Sequence, residues 1–131
     1  MRLSKKATTG WMLKRADEAL DVARILLSMK RKQSPAACFH SKWAAEEFFL
    51  TYLFNKGEKL TKVEIRNVLR CCKRYDKTFS EIETLALFLS PFGEEILYPN
   101  GLNVNVRNAR RAIKAVEEIR SFVLRKIGEK S

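Results

Sequence analysis

One histidine, three cysteines, an adjacent carboxylate pair and two groups of cations are the residues of this chain that could do chemistry. His40 is the only side chain whose ordinary pKa suits proton transfer near neutral pH. One His without an Asp/His cluster does not make a metal site, so no metal and no cofactor are expected. Cys38, Cys71 and Cys72 lack CxxC spacing. Adjacent cysteines on a helix diverge by roughly 100°, so Cys71 and Cys72 cannot comfortably share one tetrahedral ion. An odd count in this pattern gives no disulfide framework either. Small buried apolar residues in a reducing cytoplasm are the expectation. Glu46 and Glu47 also point about 100° apart, which excludes a glycosidase-like pair. Glu46 stands on an otherwise apolar stretch, where it could take a Lys or Arg from a neighbouring helix or subunit. No Gly-rich phosphate loop and no nucleophile elbow appears.

The cations point to anionic partners. The chain carries +11 at neutral pH with a sequence pI near 9.9, which makes nucleic acid the first candidate and an acidic protein the second. Residues 1–34 hold nine Lys/Arg against three Asp/Glu, whereas 78–105 hold none against four Glu, so the charge is patterned. Arg107, Arg110, Arg111 and Lys114 crowd the start of the last helical segment. Cations there oppose the helix dipole, a conflict that a bound anion would relieve. On a helical wheel Lys62, Arg66, Arg70, Lys73, Arg74 and Lys77 fall within an arc of roughly 120°, opposite Ile65, Val68, Leu69, Cys71, Cys72 and Tyr75. That stripe is either a solvated face or a ridge that tracks phosphates and gains from counterion release.

The elements that must position these groups read as helices throughout. The 131 residues suit one domain with one core. Met12, Ala16, Ala19, Leu20, Ala23, Leu26 and Leu27 recur at helical spacing and predict a first helix from about Thr9 to Met29. The stretch from Ala36 to Gly57 predicts a second helix carrying six aromatics: Phe39, Trp43, Phe48, Phe49, Tyr52 and Phe54. Ser34 suits its N-cap, Pro35 its first position and Gly57 its stop. A helix this apolar on most sides is a bundle centre or a dimer face. A third helix is expected from Lys62 to Lys77 with Thr61 as cap, and a short one from Thr78 to Leu89. The segment from Pro91 to Asn105 is rich in turn formers and reads as a loop of about fifteen residues, with room for a helical turn at Glu94–Leu97. A last helix is predicted from Val104 to Ile127. The fold expected is all-α: an antiparallel up-and-down bundle of four long helices plus a short fifth. No stretch of about 18 uninterrupted apolar residues and no signal peptide is read, so a cytoplasmic protein with no membrane span is expected.

Three pieces, in this order and spacing, resemble the HEPN family of small helical bundles. They are Trp11 followed by RADEALDVARILL, then AACFHSKWAAEEFFLTYLFNKG, then YPNG from Tyr98 to Gly101 before an Ala-rich last helix. Lys42 and Trp43 stand where relatives often have glutamines, Leu97 where an Arg is common, and Asn100 for the usual Asp. Many HEPN proteins are metal-independent ribonucleases, with an Arg, often a polar residue after it, and a His four to six residues on. The imidazole moves protons for the 2′-hydroxyl and the Arg stabilises the phosphorane. Arg107-Asn108 looks like the start of that motif, but the His slots hold Ala112, Ile113 and Lys114. Lys114 and His40 are the only substitutes, and the family's ribonuclease activity is expected to be absent. The resemblance implies a homodimer and a non-catalytic module that binds a nucleotide, RNA or a minimal nucleotidyltransferase partner in a toxin–antitoxin-like system. Tyr98, Asn100, Arg107, Asn108, Arg110, Arg111 and Lys114 would form its site. A degenerate ribonuclease and a purely structural helical dimer are the alternatives.

Overall fold

The computed structural model describes residues 4–60, 63–97 and 104–129. These form five α-helices and, among the described residues, no strand. α1 spans Lys5–Ser28, α2 Ser34–Asn55, α3 Ile65–Tyr75, α4 Glu83–Leu89 and α5 Val106–Gly128. Two 3₁₀ helices, Lys77–Ile82 and Glu94–Leu97, fill the connections.

Local chemistry sets the ends. α1 starts four residues earlier than the expected Thr9, because the Ser4 hydroxyl accepts the Ala7 N–H at 3.1 Å. The expected Ser34 cap is not made: Ser34 is the first residue of α2 and no side chain caps that end. Gly57 does stop α2. Its φ of +91° lets the Glu58 and Gly57 N–H groups reach back to the Leu53 and Phe54 carbonyls.

The third helix is a correction. It has 11 residues, not sixteen. The Glu64 carboxylate accepts the Arg66 and Asn67 N–H groups and begins it, and Asp76 leaves helical geometry and turns to cap Thr78. Thr61 lies outside the described residues. The bundle therefore has three long helices and one of intermediate length. The predicted short helix splits into the 3₁₀ turn and α4, joined at Ile82.

α2 is the centre and packs on every other helix, most extensively on α1 and α5. The five-residue link between α1 and α2 makes them antiparallel neighbours. Asp17 and Arg24 of α1 pair with Arg120 and Glu117 of α5, so α5 runs antiparallel to α1 and alongside α2. α3 departs from the up-and-down plan. Its start faces Glu46, Cys72 lies 3.7 Å from the Phe49 carbonyl, and Asp76 beyond its end faces Tyr52, so it advances in the same sense as α2. Phe79 of the 3₁₀ turn joins the layers, with ring centroids 4.5 Å from Tyr52 and 4.9 Å from Phe122.

Of the six aromatics of α2, Phe48, Phe49 and Tyr52 are core and Phe39 and Phe54 are half-buried; only Trp43 is exposed. The larger apolar surplus lies on α1, where Trp11, Val22 and Ile25 are exposed in one row, with Met29 exposed just past its end.

Candidate nucleic-acid interface

α5 begins with a reciprocal cap. The Asn105 side chain accepts the Asn108 N–H at 2.9 Å, and the Asn108 side chain accepts the Asn105 N–H at 3.0 Å. Asn108 thus spends its carbonyl oxygen on the helix end. The first turn contains no acid. Arg107, Arg110, Arg111 and Lys114 follow, all exposed along one face of the helix. Some cations elsewhere are paired: Arg24, Lys42, Lys73, Arg120 and Lys126 each hold a carboxylate. Among the described residues, no carboxylate lies within ion-pair distance of Arg107, Arg110, Arg111 or Lys114. Glu117, one turn past Lys114, is taken by Arg24 at 2.7 Å.

Arg111 has an aromatic support instead. Its guanidinium carbon sits 4.0 Å from the centre of the Phe88 ring on α4. Phe92 meets Phe88 edge-on at 5.3 Å and 84°, and is itself buried. α4 lies between α3 and α5, which do not touch each other. On its other flank Leu87 borders a cavity of about 210 Å³ with Arg66, Leu69, Arg70, Lys73 and Glu83. The two cation groups, separate in sequence, therefore flank one short helix.

The α3 stripe is weaker than its wheel suggests. Lys73 is bonded to Glu83, Arg66 lies 3.8 Å from Glu64, and the Arg74 guanidinium turns to the Cys71 sulfur at 2.9 Å. Lys77 belongs to the 3₁₀ turn, not to α3. Lys62 lies outside the described residues, as do Tyr98 and Asn100. Arg70, Arg74 and Lys77 are the stripe's exposed cations with no carboxylate ion pair among the described residues, and of these Arg70 borders α4.

His40 lies elsewhere. It stacks on Trp43 at 5.8 Å and 19°, in a groove of about 280 Å³ between α1 and α2 lined by Arg15, Glu18, Val22 and Glu47. Burial lowers its pKa. Neither Arg107 nor Lys114 lines that groove, so within the chain the structure does not join His40 to the Arg of the motif. Glu46 finds its cation on its own helix: Lys42 bonds it at 2.6 Å, with side chains 13% and 9% exposed. Burial raises the Glu46 pKa, partly offset by Lys42. All three cysteines are free and buried, and burial pushes the Cys38 thiol up to about 11. No group of three or more metal-ligating side chains occurs among the described residues, and none of their helices is long and apolar enough to cross a membrane.

The apolar periodicity passes over Phe88 and Leu87. Their signal is subtle, since each falls off the Phe79–Ile82–Ala86–Leu89 stripe and so had to face a neighbour or solvent. No curated protein and no solved structure matches this chain. The family model that does match, described as HEPN domain, extends over residues 9–127, from the first turns of α1 to the last turn of α5. With nearly its whole length accounted for by that one model, the chain belongs to the HEPN domain family.

Proposed function

We propose that this protein is a non-catalytic HEPN module that docks RNA on the face made by the start of α5, α4 and the middle of α3. The observation that supports it is the clustering of four exposed cations on one face of α5 with no carboxylate in ion-pair reach among the described residues. Arg107, in the first turn, also opposes the helix dipole. A polyanion bound to such a cluster gains affinity by releasing counterions. Absence of the motif's His leaves Arg107 a binding residue and no general base beside it. The buried thiols suit the reducing cytoplasm we assign to it.

The test is a mixed small-RNA pool without metal at two salt concentrations. Binding that weakens steeply with salt, without cleavage, supports the reading. Cleavage abolished by Arg107→Ala overturns it in favour of a degenerate ribonuclease using Lys114 or His40. No binding gives the cations to a free nucleotide or a minimal nucleotidyltransferase partner in a toxin–antitoxin-like pair.

We further propose that the module is a homodimer. Trp11, Arg15, Glu18, Val22 and Ile25 repeat at four and three along α1, and Trp11 and Ile25 are 55% and 60% exposed. The row is self-complementary: a two-fold axis between Arg15 and Glu18 pairs each with the other's copy and sets Trp11 against Val22. A monomeric mass in solution, or a dimer indifferent to Trp11→Glu, refutes this.

A further inference from the structure

Arg111 differs from its neighbours in being held. The Phe88 ring fixes one face of its guanidinium, and Phe92, buried, fixes Phe88. Arg111 is nevertheless an exposed residue, and no acid among the described residues claims its charge. A planar cation held on one side and open on the other offers a flat, sequence-tolerant surface. Arg107, Arg110 and Lys114 surround it on α5, and Arg70 lies across α4. Leu87, 48% exposed, adds apolar surface on the Arg70 side of α4. A duplex offers phosphates to such a face and keeps its bases stacked inside. A single strand offers both phosphates and unpaired bases.

We propose that Arg111, backed by Phe88, is a stacking platform for an unpaired base, which makes single-stranded RNA the substrate class of this face. The inference rests on the RNA-docking reading above and narrows it. The base sandwiches the guanidinium against Phe88, while Arg107, Arg110 and Arg70 take the flanking phosphates. No bond is made or broken.

The test is Arg111→Lys, which keeps the charge and removes the planar group. Anisotropy of a labelled single-stranded RNA and of a duplex of equal length measures both affinities for the wild type and the variant. The expected result is a loss of roughly five- to tenfold for the single strand, at the low end of what one stacked base contributes, with the duplex unchanged within about twofold. Phe88→Leu, which retains an apolar support but not the ring, should weaken single-strand binding in the same direction. Equal loss on both RNAs, or no loss on either, overturns the platform while leaving the docking reading standing. Failure of the wild type to bind either RNA overturns both. A wild type that prefers the duplex overturns the platform alone.

Discussion

Replacing Arg107, Arg110 and Lys114 together with Ala should flatten the salt dependence of RNA binding, by an amount the structure specifies. Five cations of the proposed face have no carboxylate partner among the described residues: Arg70, Arg107, Arg110, Arg111 and Lys114. On a single strand each neutralised phosphate contributes about −0.7 to the slope of log affinity against log salt; with Arg111 stacked on a base, the other four give a slope of about −2.8. Between 50 and 200 mM salt that is a loss of about fiftyfold. The triple variant retains only Arg70 for phosphate, so its slope should fall to about −0.7 and its loss to about threefold. Fluorescence anisotropy at four salt concentrations measures both. Lys5→Ala/Lys6→Ala is the control, because those lysines lie at the other end of the bundle beside Ile127. A triple variant with an unchanged slope, or a control that falls as far, would refute the assignment of binding to this face. A wild-type slope near zero would remove the electrostatic argument altogether.

Three further outcomes follow from the packing. Lys42→Met should destabilise the fold by about 3 kcal/mol at neutral pH, the low end for breaking a buried pair, because Glu46 then keeps its charge with the Ile65 N–H but no cation beside it. Since burial already raises the Glu46 pKa, its folded form holds the proton more tightly than its unfolded form. Stability therefore falls as pH rises from the ordinary carboxylate value near 4.5, and the variant should lose more than the wild type across that window; a gap in thermal midpoint that is flat with pH counts against this. Asn105→Ala should cost about 1 kcal/mol through loss of the α5 cap, seen in denaturant melts, and no change would show the cap to be idle. Phe79→Ala should cost about 3–5 kcal/mol, since the ring joins α2 to α5, and a loss under about 1 kcal/mol would contradict its place in the core.

The helices were legible where periodicity is long. α1, α2 and α5 each repeat apolar residues over several turns, and a 3.6-residue period sustained that far has no competing reading. α3 was misread in length because its cationic wheel continues past both true ends. A wheel counts residues, whereas Glu64 and Asp76 bound the helix through local side-chain hydrogen bonds that leave the wheel unchanged. The seven residues of α4 hold too few turns to separate a core stripe from its flanks, so Phe88 and Leu87 went unremarked.

The sequence by itself determined the all-helical class, the family through three ordered motifs, the net charge and the absence of a His where the ribonuclease motif needs one. Each of these is a matter of residue type and spacing along one line. Tertiary structure alone decided which cations are free. Lys73, Arg120 and Lys126 meet acids contributed by other elements, and nothing in their spacing announces it. It also decided that α4 carries Arg111 on one flank and Arg70 on the other, although the two arginines lie far apart in the chain. Coulomb energy depends on distance in space, so the sign of a charge is written in the sequence but its partner is not.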